Sequence, residues 1–277
     1  SDVYKRQVLY NEKLYSVGKI PGGFIKREGR PTDNATLAAR MIDRPMRPMF
    51  PENFRNEVQV VNTVLSVEQD NSPELTAMFG SSLATSISEV PFDGPIAGVK
   101  VGHIDGNFII NPTPEELEKS DLDLTVAGTK EAINMVEAGA KEVSEELMLE
   151  ALMFGHEAIK ELVEFQEKII KEIGKPKMEY EVLEITDELK TEVRTLAEEK
   201  LNSAMRIKEK LEKYAAIDKV KEDIVSKYEN ENLELKDTEL KELITKVKLV
   251  VEEIEHEIFR QIVVKEHTRA DGRKMDE

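Results

Sequence analysis

Gly18 to Pro51 reads GKIPGGFIKREGRPTDNATLAARMIDRPMRPMFP. Gly22-Gly23 permits a tight loop, and Phe24-Ile25-Lys26-Arg27 then sets an aromatic beside two cations. Such a loop suits single-stranded RNA, because a base stacks on Phe24 while Lys26 and Arg27 meet phosphates. The same residues equally allow a surface hairpin with Phe24 tucked into the core. Thr32 and Asp33 are candidate N-caps for a helix read over Thr36 to Ile42. Arg40, Arg44 and Arg47, at intervals of four and three, line up on one face of that helix. Phosphate binding and structural ion pairing both stay open for these three arginines.

Outward from this stretch, short apolar runs alternate with Gly, Pro and Asn from Val8 to about Gly128. Val58 to Val67 is rich in β-branched residues and reads as a strand, as do Ala97 to Val101, Phe108 to Ile110 and Leu122 to Val126. Asp105-Gly106-Asn107 is a hairpin turn signal, and Glu74 to Ile87 reads as a helix. Strands mixed with helices indicate an α+β domain. Glu131 to Val136 reads as the start of a helix and Ala138 to Val143 as a break. Ser144 then caps a longer helix to about Ile173, ended by Gly174-Lys175-Pro176. Residues 174–185 read as a linker. From Thr186 the text becomes Lys- and Glu-rich, and Glu188 to Arg260 holds apolar residues at helical spacing with no Gly or Pro. This predicts a small all-helical domain over residues 186–262, with turns near Ile217-Asp218 and Glu229 to Lys236. Its charge runs read as a solvated face. Residues 263–277 return to polar text, as if another domain begins.

Composition narrows the function. Among 277 residues, 40% are hydrophobic and 34% charged, enough apolar surface for a real core. No Cys excludes a disulfide scaffold and thiolate metal sites. His103, His156, His256 and His267 lie too far apart for a close-spaced zinc motif. Neither a membrane span nor an intact signal peptide is expected. The net charge of −17 is unevenly spread. Residues 1–56 hold 11 Lys and Arg against 6 Asp and Glu, a net of +5; the remainder hold 28 against 50, a net of −22. A basic segment on an acidic body binds a polyanion at one place and repels it elsewhere.

Ser1 to Gln7 (SDVYKRQ) shows no helix or strand pattern, and it resembles the translation of a transposase adapter used in sequencing libraries. Residues 1–7 are therefore expected to be an artefact, with the native text starting near Val8. An intact genomic copy encoding the same seven residues would refute this.

Gly18 to Pro51 closely resembles the first core domain of the bacterial polynucleotide phosphorylase family. So do Phe54-Arg55-Asn56-Glu57-Val58-Gln59-Val60, Val90-Pro91-Phe92-Asp93-Gly94-Pro95-Ile96-Ala97-Gly98, Asp121 to Thr129 and Phe154-Gly155-His156-Glu157. The resemblance runs in order from about Val8 to Glu277. It implies an N-terminally truncated α+β RNase PH-like core over residues 8–173, then the family's all-helical domain. Arg269-Ala270-Asp271-Gly272-Arg273 resembles the opening of a second such core. Gly22-Gly23-Phe24-Ile25-Lys26-Arg27 is similar to the version in Gram-positive bacteria.

The resemblance implies a cytoplasmic homotrimer acting in mRNA degradation, with an RNA-degradation complex as a further partner. Single-stranded RNA is shortened from its 3′ end by inorganic phosphate, releasing nucleoside diphosphates, with magnesium assisting at the second core. Phosphoryl transfer needs carboxylates to hold the metal and donors to hold phosphate. By the resemblance, the active copy's two Asp and Lys correspond here to Leu117, Asp123 and Thr125, and its serine cluster to Ser72-Pro73-Glu74. Leucine holds no metal, threonine carries no charge, and Glu74 repels phosphate. The core in this chain is therefore expected to be catalytically silent, without metal or catalytic residues of its own. Lys26-Arg27-Glu28 still resembles the active copy's Arg-Arg-Glu, which fits a core that guides RNA without cutting it. RNA contacts are expected at Phe24, Lys26, Arg27 and Arg30, with Arg40, Arg44 and Arg47 packing or pairing nearby. A non-catalytic RNA-binding or scaffold module is the alternative, and an acidic protein-interaction domain over Glu188 to Arg260 a third reading.

Overall fold

Where local sequence carries a cap, the helix starts at it. Thr32 Oγ1 accepts from the Ala35 N–H at 3.1 Å and opens α1 (Asp33–Met46), and Ser144 Oγ accepts from Leu147 and opens α4 (Glu145–Ile173). The computed structural model describes residues 6–24, 27–51, 54, 56–68, 70–180, 183–269 and 271–275. Two compact units divide the chain, residues 1–182 and 183–277.

In the first unit, β1 (Arg6–Glu12) and β2 (Val58–Val64) pair in parallel, Arg6 opposite Val58 and Glu12 opposite Val64. The connection between them carries α1. A second sheet is antiparallel, in the order β4 (Asn107–Ile110), β3 (Ala97–Ile104), β5 (Leu122–Gly128), β6 (Ile133–Ala140). Helix α2 (Pro73–Ile87) precedes it and the short α3 (Pro114–Lys119) sits between β4 and β5. One core gathers Tyr10, Ile42, Met46, Phe54, Met78 and Ile96; the other packs Val99, Val101, Leu124 and Val126 against Ile159 and Val163 of α4. Two glycines from the quoted motifs permit these contacts. A Cβ on Gly98 would lie 2.6 Å from Met78 Sδ, and one on Gly155 would lie 2.6 Å from Val126 Cγ1. Helices α2 and α4 approach the sheet this closely because neither position carries a side chain.

The second unit is three helices, α5 (Asp187–Ala204), α6 (Lys210–Glu231) and α7 (Asp237–Glu266). Val193, Ala197, Leu201, Ile217, Ile224, Val247 and Ile254 repeat at helical spacing and form their shared core. No helix among the described residues is long and apolar enough to cross a membrane.

Five expectations need correction. The segment read as a helix at Glu131 to Val136 is a turn followed by β6. Thr129 Oγ1 accepts from the N–H groups of Glu131 and Ala132, and Ile133 then pairs with Gly128. Ladder pairing with β5 outweighs a short stretch of helical propensity. No turn falls at Ile217-Asp218. Ile217 is a buried core residue inside α6, and the break lies at Met205 to Glu209, where Glu209 caps α6 by accepting from the Glu212 N–H. Helix α7 runs to Glu266, past the expected boundary at residue 262. Residues 174–185 are not a free linker throughout: Lys177 Nζ donates to the carbonyls of Thr85, Ser86 and Ser88 at the end of α2, and the Met178 N–H donates to Glu89. A cation at a helix C-terminus meets carbonyls that have no partner within the helix. Finally, Arg6 and Gln7 are strand residues whatever encoded them. Arg6 donates to the carbonyls of Pro51 and Phe54, and its guanidinium lies 5.0 Å from the Phe50 ring centroid. The folded segment thus begins upstream of Val8.

Candidate nucleic-acid interface

The Gly-Gly loop hangs from the end of β1. A 3-10 turn, Leu14–Val17, is closed by Gly18 at φ 70°, a left-handed conformation that glycine adopts without strain. The loop then returns to its own base through Glu28. Lys13 Nζ lies 2.8 Å from one Glu28 carboxylate oxygen, and the Leu14 N–H donates to the other at 3.0 Å. Between these anchor points Gly23 again takes a positive φ, 81°, and Phe24 projects fully into solvent at 105% exposure. The hairpin with Phe24 in the core is not what forms. Arg27 and Arg30 are exposed beside it. Lys26, expected to join them, lies outside the described residues.

Hydrogen bonding, first from Lys13 and then from the Leu14 N–H, holds the Glu28 carboxyl below its usual range. A carboxylate lowered in the folded state contributes above its unfolded pKa, and the contribution disappears as pH falls through the folded value. The anchor is expected to persist at neutral pH and to release only below the ordinary carboxylate range. The Leu14 amide shift in an NMR titration reads this directly. A midpoint at or above that of an unperturbed glutamate would contradict it.

The three arginines of α1 separate in role. Arg47 grips Asp43 with two nitrogens, at 2.8 and 2.9 Å, and donates to the Arg6 carbonyl. Arg44 pairs with Glu137 of β6 at 2.9 Å. Arg40 is exposed and has no ion pair among the described residues. Lys13 is the anchor residue that sequence reading passed over. Its signal was an opposite charge fifteen positions away, a separation that means nothing until the loop is closed.

The positions aligned with a metal and phosphate site do not fit those groups. Asp123 is exposed on β5, Thr125 is buried beside it, and Leu117 lies on α3. Among the described residues no three His, Cys, Asp or Glu side chains gather as a metal would require. At the other position, Ser72 precedes α2 without capping it, and its Oγ is buried without a partner. Glu74 sits in the first turn, close enough to help raise the Tyr10 pKa. Burial raises it most, followed by the hydrogen bond from Tyr10 to Glu12. Two carboxylates, Glu12 and Glu74, thus act on the Tyr10 hydroxyl close to the start of α2.

Three family models match in order along the chain. Residues 2–91 match the 3′ exoribonuclease family, domain 1, and residues 94–158 match domain 2 of that family. Residues 188–274 match the polyribonucleotide nucleotidyltransferase RNA binding domain. The polyribonucleotide nucleotidyltransferases of Listeria welshimeri and Bacillus velezensis are 55% and 56% identical to the chain over 276 residues, 100% of it.

The chain belongs to the polyribonucleotide nucleotidyltransferase family.

Its first unit is the family's RNase PH-like α+β core and its second the helical domain that follows. The enzyme of Enterococcus faecalis is likewise 55% identical over 276 residues. The chain spans about 38–39% of the length of these relatives. The crystal structure of rice Rrp46 aligns with 60% of this chain and 72% of its own at 12% identity and a TM-score of 0.47. At that distance the likeness carries no argument. The passage from domain 1 to domain 2 falls between residues 91 and 94, just ahead of β3, which begins at Ala97.

Proposed function

We infer that the chain is the RNA-guiding, catalytically silent part of a phosphate-dependent 3′-to-5′ exoribonuclease that works in mRNA degradation. In this reading the whole protein is a cytoplasmic homotrimer. It shortens single-stranded RNA with inorganic phosphate, releases nucleoside diphosphates, and uses magnesium at a second core outside this chain. A degradation complex is a further partner of the whole protein. The observation that carries the reading is the loop tip. Phe24 is fully exposed, Arg27 and Arg30 are exposed beside it, and Glu28 ties the loop back to Lys13 and Leu14. An aromatic face held out next to cations stacks a base while it meets phosphates, without selecting a sequence. The pairs Arg47–Asp43 and Arg44–Glu137 favour a structural role for those two arginines, leaving Arg40 as the arginine of α1 available to phosphate.

The test is binding of a labelled single-stranded RNA to the chain across a salt series. Phe24→Ala is expected to weaken binding roughly tenfold, within the about 1–3 kcal/mol of a base–aromatic stack. Arg27→Ala with Arg30→Ala should flatten the slope of log K against log salt by about 1.4, two cations at roughly 0.7 each. Unchanged affinity and slope in both variants would remove this loop from the RNA path.

A further inference from the structure

The loop that carries Phe24 has a firm side and a side held by one residue. On the firm side, the Lys13 N–H donates to the Val64 carbonyl at 3.4 Å and so continues the pairing of β1 with β2. The N–H groups of Ser16, Gly18 and Lys19 then donate to the carbonyls of Lys13, Tyr15 and Leu14 and close the 3-10 turn. Between Lys19 and Thr32, among the described residues, only Glu28 makes a hydrogen bond or ion pair. Its carboxylate reaches the firm side twice, at Lys13 Nζ (2.8 Å) and at the Leu14 N–H (3.0 Å). A Cβ on Gly22, Gly23 or Gly29 would meet nothing within 4 Å, so packing does not restrain these positions.

An acid is the wrong charge for this place if charge alone matters. Glu28 follows Arg27 directly and stands two residues before Arg30, where a carboxylate weakens the attraction for a polyanion. It also occupies Lys13, a cation otherwise open to phosphate. The two side chains are 33% and 28% exposed, partly out of water, which favours a charge-assisted bond over a fully solvated pair. The effect is mutual. Hydrogen bonding to Glu28 raises the Lys13 pKa, and hydrogen bonding to Lys13 lowers that of Glu28.

We propose that Glu28 and Lys13 are positioning residues for RNA: their clasp holds the Phe24 ring and the arginines beside it in one arrangement, without touching RNA itself. This rests on the Phe24 loop being the RNA contact, and it names what sets that contact up. A tip already ordered gives up less conformational freedom when a base stacks on it, so the clasp strengthens binding indirectly. The sign of the effect separates two roles for Glu28. As a mere negative charge near the RNA path, its removal strengthens binding; as the residue that holds the tip, its removal weakens binding.

The experiment uses the whole 277-residue chain and a labelled single-stranded RNA oligonucleotide, with affinity measured across a salt series. The variants are Glu28→Ala, Lys13→Met and the two together, each made in the wild type and in Phe24→Ala. Glu28→Ala is expected to weaken binding about three- to tenfold although it removes a negative charge, and Lys13→Met by a similar factor. The double variant should bind no worse than Glu28→Ala, because both changes break one clasp. The slope of log K against log salt should stay as in the wild type, since neither residue meets a phosphate. In Phe24→Ala the same changes should cost nothing further, which marks an action through the tip. Tighter binding by Glu28→Ala would overturn the proposal. So would a slope flattened by about 0.7 in Lys13→Met, which would make that lysine a phosphate contact itself. Equal losses with and without Phe24 would also overturn it, by showing a general disturbance at the end of β1. If Phe24→Ala weakens binding while Glu28→Ala and Lys13→Met do not, the clasp proposal fails and the loop reading stands. If Phe24→Ala leaves binding unchanged, the loop reading fails and the clasp proposal with it.

Discussion

Gly128→Ala is expected to destabilise the first unit by about 3 kcal/mol, at the upper end of the usual cost of forcing atoms into a packed site. A Cβ on Gly128 would stand 2.3 Å from the Ala132 carbonyl oxygen and 2.8 Å from the Ile133 Cα. Both are backbone atoms, so no rotamer change relieves the overlap. The β5–β6 turn must open instead. That turn is pinned by the Thr129 hydroxyl, by the Thr129 N–H donating to Ala132, and by the His156 ring nitrogen 3.1 Å from the Thr129 carbonyl. Opening it gives up several of these contacts. For a unit of this size the loss corresponds to roughly 6–12 °C in Tm. Gly139→Ala in β6 is the control, because a Cβ there meets nothing within 4 Å. It should be neutral or slightly stabilising by about 0.5 kcal/mol. Calorimetry of the two variants beside the wild type decides the matter. Equal melting temperatures for both would mean that the turn yields more easily than its geometry implies.

Incubated with single-stranded RNA, inorganic phosphate and magnesium, the 277-residue chain is expected to release no nucleoside diphosphate above background. Phosphorolysis needs carboxylates that hold a metal against the phosphate oxygens and donors that hold the attacking phosphate. Leu117 has no ligand atom, Thr125 is buried and neutral, and Asp123, exposed on β5, belongs to no group of three or more His, Cys, Asp or Glu among the described residues. Glu74, in the first turn of α2 after Ser72, adds a negative charge at the position that resembles the active copy's phosphate-binding serines. Losing a single charge-stabilising donor typically costs a factor of about 10²–10³ in rate. Here several are replaced at once, so the expected deficit exceeds what a sensitive assay detects. Diphosphate release that rises with phosphate concentration and disappears on chelation would show that this core is an active one.

Much of this was legible before any fold was known. The caps at Thr32 and Ser144, the Asp105-Gly106 turn, and the strands beginning at Val58, Ala97 and Leu122 are written in local chemistry, within a few residues of where they act. A hydroxyl that reaches a backbone N–H three residues on needs nothing from the rest of the chain. The ordered motifs from Gly18 to His156 likewise carried the family by their own residues.

Tertiary structure decided everything whose partner lies far along the chain. Glu131 to Val136 becomes turn and strand because β5 supplies a ladder, and Lys177 is held by α2 carbonyls some ninety residues earlier. Arg44 spends its charge on Glu137, ninety-three positions away, while Arg40, four residues before it, makes no ion pair among the described residues. Sequence spacing treated the two alike. Phe24 could have filled a core until the Glu28 anchor left it outside. In the helical unit, Lys208, Tyr214 and Phe259 look like scattered surface residues in one dimension. Only the packing of α6 against α7 collects them into a groove, because burying Ile217, Ile224 and Ile254 against each other sets which neighbouring side chains face one another across it.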